Sequence, residues 1–240
     1  MDWTLLYIIT IILILPCFIY GVIAQNGVYS TFEKFSKVSA KSGITASELS
    51  QKLLNASGID NVEVVNIDGK LTDCYDSKHK VVKLSTSTYS SSSVSALGVC
   101  AHEIGHAVQD KNKNVLFKIR TFLVPILNFF TRAFVPLILI GSILSFGFYL
   151  VSIGYYIIWA SVILYGLSFL FYLVTLSLEF DASKKALKLL EETGTLDSEE
   201  LDQAKKVLSA AAKTYIAAFL TSLLYFLRFL SYAMIFARRE

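Results

Sequence analysis

Residues 99–110 read Val-Cys-Ala-His-Glu-Ile-Gly-His-Ala-Val-Gln-Asp, with HEIGH running from His102 to His106. On a helix, positions i and i+4 stack on one face, so two imidazoles at this spacing can grip one divalent ion. Glu103 lies between them and can reach a water that the ion activates. This is the residue pattern of zinc-assisted peptide hydrolysis, with Glu103 as general base. Two of the chain's three histidines fall in this motif. The expected cofactor is Zn²⁺. Gly105 sits beside His106, where a missing side chain lets another backbone pack closely.

A hydrolytic zinc site has three protein ligands and one open position, so a third ligand must come from elsewhere. The remaining histidine, His79, lies in a Lys-rich turn. Glu179, in Leu-Glu-Phe-Asp-Ala-Ser, is the better candidate, because it is the first carboxylate after a long apolar run. Asp181 competes with it. Residues two apart on a helix point to nearly opposite sides, so the two carboxylates do not easily share one ion. Asp181 also stands i,i+4 to Lys185, a ready ion pair, while Ser183 shares the Glu179 face and can support a ligand. The expected set is therefore His102, His106 and Glu179 on the metal, with Glu103 catalytic. Cys100 precedes His102 by two positions, which points it away, and it reads as a buried small side chain.

The elements around these residues divide the chain. Of its 240 residues 54% are hydrophobic, and the excess is concentrated in runs long enough for a bilayer. A formal net charge of +3, with no basic stripe interleaved with aromatics, gives no case for a nucleic-acid partner. Three scattered cysteines do not make a disulfide framework. The run 3–24 has Asp2 and no Lys or Arg before it and is long for a signal peptide, so it reads as an uncleaved anchor. From 25 to 133 the composition is that of a folded cytoplasmic part. Thr45-Ala46-Ser47-Glu48 forms a capping box, followed by the stripe Leu49, Leu53, Leu54 and an ending at Gly58. Strands are expected at 62–67 and 80–84, with a turn at Asp68-Gly69 between the first run and Lys70-Leu71. The strand Val81 to Leu84 reads equally well as an edge that pairs with an extended peptide or as an internal strand. Ser90 to Ser93 offers caps for the HEIGH helix.

Segment 115–131, interrupted by Arg120 and Asn128 and followed by Arg132, reads as an interfacial helix or the entry to a span. Segment 134–178 reads as a transmembrane hairpin turning at Gly147, Ser152 and Gly154, and 179–213 as cytoplasmic helices that carry the third ligand. Segment 214–240 reads as a last membrane helix. Arg228 interrupts it by snorkelling or by a helix contact, and Arg238 and Arg239 argue against an external end. The expected architecture is thus mainly α within an α+β class, an integral membrane protein with about four spans and a zincin-like cytoplasmic part. Lysines in both polar segments put them, and the site, on the cytoplasmic side of a multi-pass cell-membrane protein. An even number of crossings separates HEIGH from Glu179, which keeps the ligands on one side.

At this level the chain resembles the YugP-type neutral zinc metallopeptidases, bacterial membrane proteins with a HExGH helix. The resemblance is carried by 71–75, 81–109, EFDASKKALKLL at 179–190 and LSAAAKTYIAAF at 208–219. It implies a membrane-bound zinc peptidase acting on peptide or membrane-protein substrates, with His102, Glu103 and His106 in the motif positions. A looser similarity joins it to the HtpX-type quality-control proteases and the CAAX prenyl endoprotease, where a Glu after transmembrane helices completes the zinc site. Those relatives often carry an Asp four residues after that Glu, and here the position is Ser183. In YugP-type sequences the place of Cys74 is commonly His. Two rival readings are a site-2-type intramembrane protease and a non-catalytic membrane scaffold.

Overall fold

The computed structural model describes residues 2–148 and 150–237, except for the side chains of 125, 126 and 128–134. Arg238 and Arg239, and the side chains of Asn128 and Arg132, lie outside the described residues. The elements run α1 (Trp3–Ser36), α2 (Ala46–Ala56), β1 (Glu63–Ile67), β2 (Cys74–Asp76), β3 (Val81–Ser85), α3 (Thr86–Tyr89), α4 (Val94–Lys111), α5 (Val115–Gly147), α6 (Val151–Glu192) and α7 (Ser198–Ala237). Helices α6 and α7 continue without a break through the composition changes at 178/179 and 213/214. The chain forms two units, one of Met1–Val22, Ile119–Leu176 and Tyr215–Glu240, the other of Ile23–Lys118 and Ser177–Thr214.

The second unit is the α+β part. Its first helix, α2, starts at the expected capping box: the Glu48 N–H donates to Thr45 Oγ1 at 3.4 Å, and the Thr45 N–H donates to Glu48 Oε2 at 2.9 Å. Leu49, Leu53 and Leu54 are fully buried, and Gly58 ends the helix at φ 61°. These leucines share a core with Val82 and Leu84 of β3, Leu97 and Ile104 of α4, Ala186 and Leu190 of α6, and Leu208 of α7.

The sheet order is β1-β3-β2, with β1 parallel and β2 antiparallel to β3. The Asp68-Gly69 turn is present, with Gly69 at φ 120°, but no hairpin comes after it. Instead the chain crosses to the far side of β3. The Asp73 carboxylate accepts the Ser85 N–H at 2.8 Å and the Ser85 hydroxyl, and this anchors the crossing beside the end of β3. Strand β3 is therefore central, and the edge reading of Val81 to Leu84 is corrected. The edges are β1 and β2.

The first unit is built from apolar helices. Among the described residues, Trp3–Ser36, Val151–Glu192 and Ser198–Ala237 are long and apolar enough to cross a bilayer; the fourth expected span falls on α5, part of whose side chains lie outside the described residues. Within α5, the described residues Val135–Gly147 form an apolar stretch of about 20 Å. Ile12, Phe18 and Ile23 of α1 and Tyr156 and Ile163 of α6 point outward, as side chains facing lipid do. Gly154 is not part of the turn. It lies inside α6, where a Cβ would collide with the Gly141 carbonyl of α5, so its role is close helix packing. Arg228 lies over the Tyr7 ring, 5.5 Å from its centroid, which is the helix contact of the two readings offered for it.

Candidate metal centre

Helix α4 presents the motif. Ser93 caps it, accepting the Ala96 N–H at 3.3 Å, and its buried face includes Leu97, Cys100, Ala101 and Ile104. One turn apart on the adjoining face, His102 and His106 stand with ring centroids 4.8 Å apart. Helix α6 brings Glu179 to them. Its Oε2 lies 3.1 Å from His102 Nε2 and 3.6 Å from His106 Nε2, and Glu179 is only 2% exposed. Gly105 makes this approach possible. A Cβ there would stand 2.5 Å from the Ala182 carbonyl oxygen of α6, a backbone atom that cannot swing aside. An alanine at 105 would therefore separate the two helices that carry the donors.

The geometry fits a small ion. Ligand bonds of about 2.0–2.1 Å around a tetrahedral zinc leave neighbouring donor atoms roughly 3.3 Å apart. The two histidine-to-Glu179 separations, 3.1 and 3.6 Å, bracket that edge, and the whole set lies within 4.8 Å, so the histidine rings draw closer around a bound ion. Two imidazole nitrogens and one carboxylate oxygen are also the donor types of a hydrolytic zinc site. Among the described residues, these three form the group whose donor atoms all lie within 4.8 Å of one another. Burial pushes the Glu179 carboxyl up, but hydrogen bonds from His102 and His106, with their charge, outweigh it and leave the group below the ordinary carboxylate range. The site thus favours the anionic, ligating form.

A second layer orients both rings. Ser183, expected on the Glu179 face, stands 3.2 Å from His102 Nδ1. Gln109, which the motif reading passes over, does the same for His106. Its Nε2 donates to the Leu178 carbonyl at 2.8 Å and to Asp181 Oδ2 at 2.8 Å. Its Oε1 must then face His106 Nδ1, at 2.9 Å, so Nδ1 donates to it and Nε2, the nitrogen that faces Glu179, is the one directed at a metal. Gln109 lies three positions after His106 and is only 1% exposed, a burial that its sequence position alone does not reveal. Asp181 pairs with Lys185 as expected and is not one of the three converging donors, yet through Gln109 it is linked to the site.

Glu103 is 8% exposed on the same helix as both histidines. Beyond it, β2 is held to the end of α4 by Tyr75, whose hydroxyl donates to Asp110 Oδ2 at 2.8 Å. The Tyr75 ring lies 6.4 Å from Phe117, which lies 6.2 Å from His106, giving the site an apolar wall. Cys74 is exposed on β2, and His79 stands apart, bound to Asp76 at 2.9 Å.

Residues 10–234 match the family described as "Putative neutral zinc metallopeptidase". The chain belongs to this family. A curated family relative, "Putative membrane protease YugP" of Bacillus subtilis (strain 168), is 39% identical over 206 residues, covering 86% of this chain and 88% of that protein. No solved structure matches the chain. Within the family's matched region lie all three converging donors and Glu103. A zinc family, a membrane-protein relative and three apolar helices agree with a membrane metallopeptidase that uses zinc.

Proposed function

We propose that the chain is a membrane-bound, zinc-dependent endopeptidase in which His102, His106 and Glu179 hold the metal and Glu103 is the general base. The observation that carries this reading is the convergence of three zinc-type donors from α4 and α6, with a buried glutamate on the motif helix. When bound, zinc supplies Lewis acidity: it polarises the scissile carbonyl and brings the pKa of a coordinated water to about 7. Glu103 removes the proton from the attacking water and delivers one to the departing amine. Ser183 and Gln109 keep the two imidazoles in the ligating orientation. Helix α4 packs against α2 and the sheet and is not among the apolar helices, which favours this reading over a site-2-type protease.

Purified, detergent-solubilised protein is expected to contain about one zinc per chain, and His102→Ala about none, by elemental analysis. Equal background zinc in both would remove the metal from the proposal. The substrates are peptides or membrane proteins, processed or cleared at the bilayer. The lysine excess of the polar segments favours a cytoplasmic site. A reporter inserted at Phe148 is then expected outside the cell and one at Gly194 inside. An external signal at Gly194 would reverse the orientation.

A further inference from the structure

Beside the α+β core, in the same unit, α1 and α7 form an open cavity of about 520 Å³ that the hydrolytic site does not use. Lys34, Lys205, Lys206 and Lys213 line it, together with Thr31 and Phe35. The same wall includes one acid, Asp202, so the cavity carries an excess of three positive charges. Among the described residues, none of the four lining lysines has a carboxylate within ion-pair distance. The volume lies within the range of small-molecule sites, roughly 300–1,000 Å³. The hydroxyl of Thr31 can serve a phosphate oxygen, and Phe35 gives an apolar floor.

The position along the two helices narrows the ligand. Lys213 precedes the apolar run of α7, which starts at Tyr215, by two residues, and Lys206 by nine, or about 13 Å of helix. Thr31 lies beyond the apolar run of α1, which ends at Ala24, by about 10 Å. The polar zone of a bilayer face spans several ångströms beyond the hydrocarbon, and lysine stems reach further. We infer that this cavity binds the phosphate headgroup of an anionic phospholipid. Clustered lysines at the cytoplasmic end of membrane helices are attracted to such headgroups, at about a factor of five per lysine.

The inference rests on the membrane reading of the chain and not on its chemistry. The test is native mass spectrometry of the full-length protein in detergent, titrated with phosphatidylglycerol and with phosphatidylcholine. The wild type is expected to retain phosphatidylglycerol preferentially. The double variant Lys206→Gln/Lys213→Gln is expected to bind it about thirtyfold more weakly, while Lys78→Gln/Lys184→Gln, which removes the same charge elsewhere, stays within twofold. Asp202→Asn is expected to tighten binding severalfold, which no unfolding defect would produce. Equal losses in both double variants would show diffuse attraction and overturn the site. Displacement of the lipid by low-millimolar inorganic phosphate would overturn the lipid assignment in favour of a soluble anion. Protein washed off membranes by high salt would end the membrane reading itself. Membrane-held protein without a headgroup preference would end only this inference.

Discussion

Glu103→Gln is expected to lower peptide hydrolysis by about a thousandfold or more while leaving bound zinc unchanged. The amide keeps the size and much of the polarity of the side chain but cannot accept a proton from water at neutral pH. General-base catalysis contributes about 10²–10⁴-fold, so the loss corresponds to roughly 4 kcal/mol of transition-state stabilisation. Glu103 is outside the cluster whose donor atoms converge, so the metal has no reason to leave with it. The measurement pairs a peptidase assay with elemental analysis of the same preparation. Loss of zinc together with activity would make Glu103 a ligand.

The second large effect separates two carboxylates on one helix. Glu179→Ala is expected to weaken zinc binding by about a thousandfold or more, since one of three protein ligands disappears from a buried site. Asp181→Ala is expected to weaken it by about tenfold. Asp181 does not touch the metal donors but holds Gln109, and Gln109 sets the His106 ring. Loss of such outer support costs about 10–100-fold in metal affinity, and Asp181 acts one step further out. Competition against a graded series of chelators reads both variants on one scale. Metal lost from Asp181→Ala and kept by Glu179→Ala would reverse the assignment. Equal loss from both would mean that the two carboxylates act on the ion together.

The parts of this site that could be read from sequence are those set within one helix. His102 and His106 must share a face at i,i+4, Thr45 and Glu48 must cap the helix they begin, and Ser183 must share the face of Glu179. Helix geometry dictates each of these locally. The features that escaped depend on contacts between distant segments. Gln109 is an ordinary polar residue until α6 brings Leu178 and Asp181 to it. The order of the strands turned on Asp73 meeting Ser85, a pairing with no local signature. Gly154 looked like turn chemistry because glycine serves tight turns and tight helix contacts equally well, and only the Gly141 carbonyl distinguishes them.

The donors on α4 and α6 also set an order of events during synthesis. His102 and Glu179 are 77 positions apart in the chain. At about 5–20 residues per second, both histidines and Glu103 leave the ribosome roughly 4–15 s before the third donor exists. Throughout that interval the nascent chain carries its whole motif yet holds no complete ligand set. A truncated or stalled product ending before Glu179 therefore lacks the third donor of the set. The centre is completed only after the intervening membrane helices have been made.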